Sequence, residues 1–353
     1  MRSDKVFWTQ LSSTRRFIDE ITTAVLDEKS VLINLINPAP WYEAMQDEIQ
    51  QAVSREDAAR MLETIEDCNE VLPGDQIISQ FCSRQIQFLR RPSVSHAKFL
   101  SEQDSIELHT RCIWVTGITP SHVEAWVDFV TEYYRCREKK ADKAVFIMVT
   151  TEAELPIKRR GICYASLSEA IGINDCYLFS MLLQSDTKNR ESAYLADLVS
   201  GTVGDDFELA ALCIEHHQVF LTNPLETLKN ITAEYARSDG NNFVLRHAEN
   251  EFERCIWKTQ IRQFFPMIEE FRKQFASNHT DEIMKQLPVD NGFHEMINNI
   301  DDVEIRTLLY LASNRKIHIS RDEMEQLGAF KSMRDKLAHG RILSHSEVQL
   351  ILE

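Results

Sequence analysis

Hydrophobic positions in the amino-terminal half of the chain fall into short runs that predict three buried β-strands. Each run is rich in β-branched or aromatic residues and is bounded by residues that break strands. The runs cover residues 30–36, 112–116 and 144–150. None of them alternates between apolar and polar residues, which favours a sheet covered on both faces over a solvent-facing antiparallel sheet.

Helical spacing separates these runs. An apolar stripe from Phe17 to Val25 predicts a helix before the first strand, and Thr119 opens a second helix that should end at about Arg137. Capping patterns are predicted at four helix starts: Ser13 with Thr14, Ser121 with Glu124, Ser166 with Glu169, and Ser320 with Glu323. A strand, a helix and a strand form a βαβ unit, and its right-handed crossover predicts a parallel sheet. The fold class predicted for this half is α/β.

Beyond Ser166 strand-like runs become rare and helical spacing dominates. Helices are predicted around residues 194–199 and 207–213, with Asp206 as a cap, and a long helix over 242–279 is predicted to be interrupted at Pro266. The polar stretch 236–242 is the predicted domain boundary. Residues 1–236 would then form an α/β domain with a helical lid, and residues 242–353 an all-α C-terminal bundle.

Charge narrows the set of partners. The chain carries 55 acidic and 39 basic residues, for a net charge of −16, which repels phosphate backbones and argues against DNA binding. The two basic clusters, at residues 84–91 and 158–160, are short, so they are interpreted as solvated faces.

The eight cysteines are scattered without a C-x-x-C pair or a histidine at zinc-ligand spacing, so no metal site is predicted. Several lie inside apolar runs, as expected for reduced thiols. The start of the chain has no apolar leader segment, and no run of about 18 apolar residues occurs, which predicts a cytoplasmic location and no membrane span.

The order of these elements, a strand, a second strand followed by a helix, a third strand ending at Thr150 and then a helical lid, resembles that of AAA-type and STAND-type P-loop domains. The resemblance covers residues from about 14 to 230. A P-loop uses glycine for the turn that cradles phosphate, lysine for the outer phosphates, and serine or threonine for magnesium.

The phosphate-binding residues of that family are missing here. The loop after the first strand, residues 37–44, contains neither glycine nor lysine and instead has two prolines and Glu43. The second strand, residues 113–118, lacks the carboxylate that orients magnesium. The resemblance therefore implies a degenerate P-loop domain without ATPase activity and without a cofactor. An α/β domain unrelated to nucleotide hydrolases is the alternative.

A local motif lies near the C-terminus, where Arg334, Asp335 and His339 follow one another on the helix predicted from Ser320. An apolar stripe is predicted to fix the buried face of that helix, and it consists of Met324, Leu327, Phe330, Met333 and Leu337.

This string resembles the Arg-polar-x-x-x-His signature of HEPN domains, which are small helical bundles that include metal-independent RNases and toxins. The resemblance implies catalytic roles for Arg334 and His339, with the arginine steadying phosphate charge and the histidine acting as acid or base. It also implies that the pair works across a homodimer on an RNA substrate. The motif is six residues long, and similar strings occur where the histidine caps or packs and nothing is cleaved.

The two resemblances together suggest a component of a bacterial conflict, or anti-phage defence, system. The function expected first is a non-enzymatic scaffold or sensor that binds a protein partner. The alternative is a HEPN-type endoribonuclease or toxin that uses Arg334 and His339 and is restrained by the amino-terminal domain.

Overall fold

The computed structural model describes residues 2–35, 39–140, 142–151, 158–184, 189–245, 247–290 and 296–352. Its contacts divide the chain into a sheet unit, residues 1–182 with 237–241, and a helical unit, residues 183–236 with 242–353. This division falls earlier in the chain than the linker expected at residues 236–242. The reason is that the helix over Arg190–Val203 packs against the long helix over Glu249–Asn278.

The sheet unit is built on five parallel strands in the order β2-β3-β4-β1-β5. The strands are β1 (Ser30–Asn34), β2 (Met61–Glu66), β3 (Arg111–Thr116), β4 (Val145–Thr150) and β5 (Ile162–Ser166). The α/β fold and the parallel pairing of the three predicted strands are confirmed, because those strands are the central β3, β4 and β1. The predicted end of the first strand, Ile36, lies outside the described residues. The edge strands β2 and β5 were not predicted.

Helices cover the sheet in two layers. They are α1 (Ser3–Thr9), α2 (Ser12–Leu26), α3 (Tyr42–Glu56), α4 (Pro73–Phe81), α5 (Arg84–Phe88), α6 (His96–Glu102), α7 (Pro120–Arg137), α8 (Leu167–Ala170) and α9 (Asp175–Leu183). In one layer α1, α2 and α3 pack on one another, and in the other α4, α6 and α7 do so. The connection from β1 to β2 runs across the sheet in the opposite direction to the connections from β2 to β4. Right-handed crossovers therefore place α3 and α7 on opposite faces of the sheet.

The helical unit consists mainly of helices. They are α10 (Arg190–Val203), α11 (Phe207–Glu215), α12 (His217–Thr222), α13 (Pro224–Glu234), α14 (Glu249–Asn278), α15 (Thr280–Met284), α16 (Ile305–Ser313), α17 (Arg321–Ala338) and α18 (His345–Leu352). Two short strands, β6 (Val289–Asp290) and β7 (Met296–Ile297), pair antiparallel, so this part of the chain is not purely helical. The chain stays helical through Pro266 within α14, although an interruption was predicted there.

The capping predictions succeed in part. Ser320 and Glu323 form the predicted capping box at α17, and the Asp206 side chain caps α11. The other three predicted caps are wrong, since α2, α7 and α8 have no side-chain cap. At α2 the Thr14 hydroxyl instead donates to the carbonyls of Phe7 and Leu11, which ties α2 to α1. Among the described helices, none is both long and apolar enough to cross a bilayer.

Candidate functional site

In open parallel sheets, ligands bind outside the carboxyl ends of the strands, where neighbouring connections leave in opposite directions. Here that position lies at β1 and β4. The connection after β1 passes β4 and β3 to reach β2, whereas the connection after β4 passes β1 to reach β5. The loop that the sequence resemblance compares with a P-loop, residues 37–44, starts at this point. Its first residues, Asn37 and Pro38, lie outside the described residues.

Trp41 occupies the turn between this loop and α3. Its backbone is left-handed, with φ 43° and ψ 57°, and its ring centroid lies 5.6 Å from that of Phe7 and 5.9 Å from that of Phe179. The Trp8 indole N–H donates to the Trp41 carbonyl at 3.1 Å. Phe7, Trp8 and Phe179 are buried. Aromatic rings therefore pack the turn that would have to cradle phosphate in a P-loop.

The first residue of α3 is also committed to packing. The Tyr42 hydroxyl accepts a hydrogen bond from the Trp114 indole N–H at 2.8 Å. Burial raises the pKa of the Tyr42 phenol, although that hydrogen bond opposes the shift, so the group is neutral. The next residue, Glu43, puts a carboxylate in the first turn. A helix N-terminus binds anions through free amides and a positive dipole end, and Glu43 already supplies negative charge there.

A cavity of about 680 Å³ opens beside the start of α3, and we call it the acidic cavity. Its lining includes the carboxylates of Asp4, Glu43, Asp47, Glu48 and Asp239. Arg2 and Lys5 are the basic residues of the described lining, and Arg2 already pairs with Asp4 at 2.8 Å. The excess of carboxylates favours a cationic ligand and repels phosphate.

The charge of one cavity residue is fixed by its neighbours. Burial acts to raise the pKa of the Asp239 carboxyl. Hydrogen bonds from the backbone and side chain of Asn241, together with the charge of Arg237, outweigh burial and hold this pKa below its usual value. Asp239 therefore stays ionised at neutral pH.

A carboxylate lies close to the carboxyl end of β3, directly after the neighbouring strand β2. Asp67 follows β2, its side chain is fully buried, and its carboxylate accepts from His122 Nδ1 at 2.9 Å and from the Trp126 indole N–H at 2.9 Å. Because a carboxylate only accepts, Nδ1 of His122 must carry the proton. We call these three residues the Asp67 network, and it ties the end of β2 to α7.

The Asp67 network was missed by sequence reasoning. His122 and Trp126 belong to a predicted helix, but Asp67 is 55 and 59 residues away from them, and no local pattern links them. Within the described ranges, no three or more His, Cys, Asp or Glu side chains are grouped so that they could hold a metal ion. The hydrogen bonds of the network join the end of β2 to α7, so it ties these two elements together.

Arg334, the first residue of the HEPN-like pair, lies on α17 with its side chain 27% exposed. Its guanidinium nitrogens lie 4.0 Å from a Glu269 carboxylate oxygen on α14, 3.7 Å from Glu304 and 4.0 Å from Asp335. Each of these ion pairs is long and contributes little by itself. Three carboxylates nevertheless lie around the Arg334 guanidinium, for which the HEPN resemblance implies phosphate binding.

His339 lies at the C-cap of α17. Its backbone N–H donates to the carbonyls of Asp335 at 3.1 Å and Lys336 at 3.2 Å, and its side chain is exposed. The buried stripe is confirmed at Leu327, Phe330, Met333 and Leu337, and Met324 is half-buried. In the described part of the chain, no hydrogen bond joins the Arg334 and His339 side chains. The structure thus places the arginine among carboxylates and the histidine in solvent.

A different surface feature lies in the basic cluster at residues 84–91, which was predicted to be a solvated face. We call residues 83–91 the arginine turn. The Ser83 hydroxyl caps α5 by accepting from the Ile86 N–H at 3.4 Å, and the Gln87 side chain donates to the Cys82 carbonyl at 2.8 Å. Ile86 packs against the core of the sheet unit. These contacts anchor the turn to the core of the sheet unit.

The outer side of the arginine turn is apolar and basic. Phe88 is 88% exposed and Leu89 is 67% exposed. Arg84 and Arg91 are exposed beside them, and Arg90 pairs with Asp75 at 2.6 Å. Phe88 and Leu89 adjoin each other and are flanked by charged residues, and an apolar patch with a polar rim makes this turn a candidate contact site.

Comparisons with known proteins do not assign this chain. No protein-family model matches the sequence, and no curated protein is significantly similar to it. Its function has to be argued from its own residues.

Proposed function

We propose that this protein works by binding a protein partner, as a scaffold or sensor, and that it does not hydrolyse ATP. The observation that carries the proposal is the arginine turn, where Phe88 and Leu89 are exposed on a turn fixed by Ser83 and Gln87. Aromatic and arginine side chains dominate the binding energy of protein interfaces, and a preformed surface lowers the entropy cost of association.

In this proposal the sheet unit is a degenerate P-loop-like domain that is retained as a framework. The parallel sheet with α3 after β1 supports that interpretation, and the Trp41 packing together with Glu43 argues against phosphate at the same position. A place in a bacterial conflict or anti-phage defence system is part of the same proposal, and it rests on the sequence resemblance.

Calorimetry with ATP and magnesium tests the loss of nucleotide binding. We expect no heat of binding at micromolar ATP and no release of phosphate. Micromolar binding at one site per chain that is lost when Trp41 is replaced by glycine would contradict the proposal.

Affinity capture from the native host tests partner binding. We expect the wild type to retain a protein that the variant Phe88→Ser loses. Ile173→Ser is a matched control, because Ile173 is 98% exposed and lies outside the arginine turn. Equal capture by all three proteins would contradict a role for the turn.

The second candidate function is metal-independent RNA cleavage by Arg334 and His339. The imidazole of His339 favours it, because this side chain is exposed at the end of α17 and is open to a substrate. The carboxylates around Arg334 oppose it, because they compete with phosphate for the guanidinium. We therefore rank it below partner binding.

A further inference from the structure

Two surfaces of the sheet unit are complementary to each other in charge and in apolar character. The partner inferred from them rests on the proposed partner-binding function. The arginine turn presents positive charge around an apolar tip. The acidic cavity presents negative charge around an aromatic wall. Both surfaces belong to one compact unit of the same chain.

The charges on both surfaces are available for an intermolecular contact. Within the described residues, Arg84 and Arg91 have no carboxylate partner, and Glu43, Asp47 and Glu48 have no basic partner. Opposite potentials of this kind steer association and fix its orientation.

The apolar parts also correspond. Trp41 and Tyr42 belong to the lining of the acidic cavity. Both residues are half-buried, and their exposed parts give the cavity an aromatic wall against which Phe88 can pack. A volume of about 680 Å³ lies within the usual range of ligand pockets, about 300–1,000 Å³.

The turn of one molecule cannot reach its own cavity. The arginine turn joins α4 to α6 in one helical layer, and the acidic cavity lies beside α1 and α3 in the other layer. The sheet separates the two layers. Any contact between the two surfaces must therefore involve two molecules.

We propose that the arginine turn of one molecule docks into the acidic cavity of a second copy of this chain. The turn and the cavity lie on opposite sides of the sheet, so one pair of molecules makes the contact only once, and the contact is heterologous. Each molecule in such an arrangement keeps one free turn or one free cavity. Association therefore continues beyond a dimer into a ring or an open filament.

Sedimentation equilibrium of the full chain tests the proposal. At low salt we expect a weight-average mass above the 40.9 kDa of one chain, rising with concentration. Added salt should reduce it, because exposed charges are screened. The turn variant (Phe88→Ser with Arg84→Glu and Arg91→Glu) and the cavity variant (Glu43→Lys with Asp47→Lys) should each weaken association more than about tenfold.

A mixture of the two variants gives the sharpest result. The turn variant keeps its cavity and the cavity variant keeps its turn, so an equimolar mixture should form a 1:1 pair and stop there. The matched controls are Ile173→Ser for the lost apolar side chain and Glu124→Lys with Glu253→Lys for the reversed charges. These controls should associate like the wild type. Circular dichroism establishes that every variant is folded.

A wild type that stays at the mass of one chain at every concentration overturns the inference, as does a mixture of variants that does not pair. The proposed partner-binding function survives that result if Phe88→Ser still loses a captured host protein. It fails separately if wild type and Phe88→Ser capture the same proteins.

Discussion

Two histidines of this protein have very different surroundings. In the sheet unit, His122 donates to Asp67, whose side chain is completely buried and also accepts from Trp126. In the helical unit, His339 is exposed at the end of α17, and Arg334 has only long ion pairs. The first histidine is part of a tie between elements, and the second is free to meet solvent or a ligand.

The difference shows that residue types alone do not distinguish a structural role from a catalytic one. Arg334 and His339 have the residue types of a phosphodiester-cleaving site, yet the structure does not bring them into contact. Asp67 and His122 have the geometry of an oriented imidazole, yet Trp126 and burial commit the carboxylate to holding β2 on α7. Burial and partners decide how much stability each pair contributes.

Replacing Asp67 by alanine should give the largest effect. The variant leaves the ring N–H groups of His122 and Trp126 without their acceptor in a buried site, which should lower the free energy of unfolding of the sheet unit by about 3 kcal/mol. Denaturant unfolding followed by tryptophan fluorescence measures it. The neighbouring Glu66 is exposed, so Glu66→Ala is the control and should change stability by less than about 0.5 kcal/mol. If Asp67→Ala lowers the free energy of unfolding by less than about 1 kcal/mol, the two histidine sites do not differ in their contribution to stability.

The helical unit has a buried polar tie of its own at Gln260, which is 2% exposed. Its side-chain amide donates to the Leu343 carbonyl and the Tyr194 hydroxyl, each at 3.2 Å, and its carbonyl accepts from the Leu343 N–H at 2.6 Å. Gln260→Ala strands two backbone groups and should cost about 2 kcal/mol. The exposed Gln274 provides the control, Gln274→Ala. Equal stability of the two variants would mean that water replaces the lost partners.

The central part of the fold follows from the sequence because β1, β3 and β4 are buried on both faces and their composition is apolar throughout. The edge strands are different. Five of the six β2 residues are not fully buried, and two of them are glutamates, Glu63 and Glu66. An edge strand needs less apolar surface, so its sequence resembles that of a loop.

The starts of the helices show the same limit of prediction from local sequence. The capping box at Ser320 is satisfied within four residues and is predictable. At α7, Pro120 takes the first helical position and makes Thr119 the N-cap, so Ser121 falls inside the first turn. The Thr119 hydroxyl then donates to Asn69 at 2.7 Å, fifty residues away. A partner that distant depends on the tertiary fold and leaves no local pattern.

The candidate site residues also fall into a group that is close in sequence and a group that only the fold brings together. Arg334 and His339 are visible in the sequence because they are five residues apart. The Asp67 network joins residues 55 and 59 apart, and the acidic cavity combines α1, α3 and residues 238 and 239. Assemblies of that kind are set by the arrangement of elements, which periodicity does not specify.

The variants Arg334→Ala and His339→Ala should change the free energy of unfolding by less than about 1 kcal/mol, because the ion pairs of Arg334 are long and the His339 side chain is exposed. If the helical unit cleaves RNA, His339→Ala should abolish cleavage of transfer RNA without loss of folding, and cleavage should require association of two chains. Arg321→Ala is the control, since Arg321 is an exposed arginine on the same helix. Undiminished cleavage by His339→Ala would exclude the nuclease, and a marked fall in its melting temperature would make the histidine structural.

The smallest effect on stability is expected at Glu347. This residue is partly buried, whereas Asp67 is fully buried and His339 is exposed. Its carboxylate oxygens accept from Lys336 Nζ at 2.7 and 2.9 Å, and one of them also accepts from the Ser344 N–H at 2.9 Å. Burial acts to raise the pKa of the Glu347 carboxyl. The hydrogen bonds from Lys336 and Ser344 outweigh burial and hold this pKa below its usual value.

A lowered folded-state pKa means that the ionised carboxylate stabilises the fold above the unfolded pKa of about 4.3, and that this stabilisation is lost as the pH falls through the lower folded value. Glu347→Gln should therefore cost about 0.5 kcal/mol at pH 7, and the difference from the wild type should shrink as the pH falls below about 4. Unfolding curves at several pH values measure it, with the exposed Glu253→Gln as the control. A difference that stays constant from neutral to acidic pH would mean that the ion pair contributes nothing, and that Glu347 acts only as a neutral acceptor for Ser344.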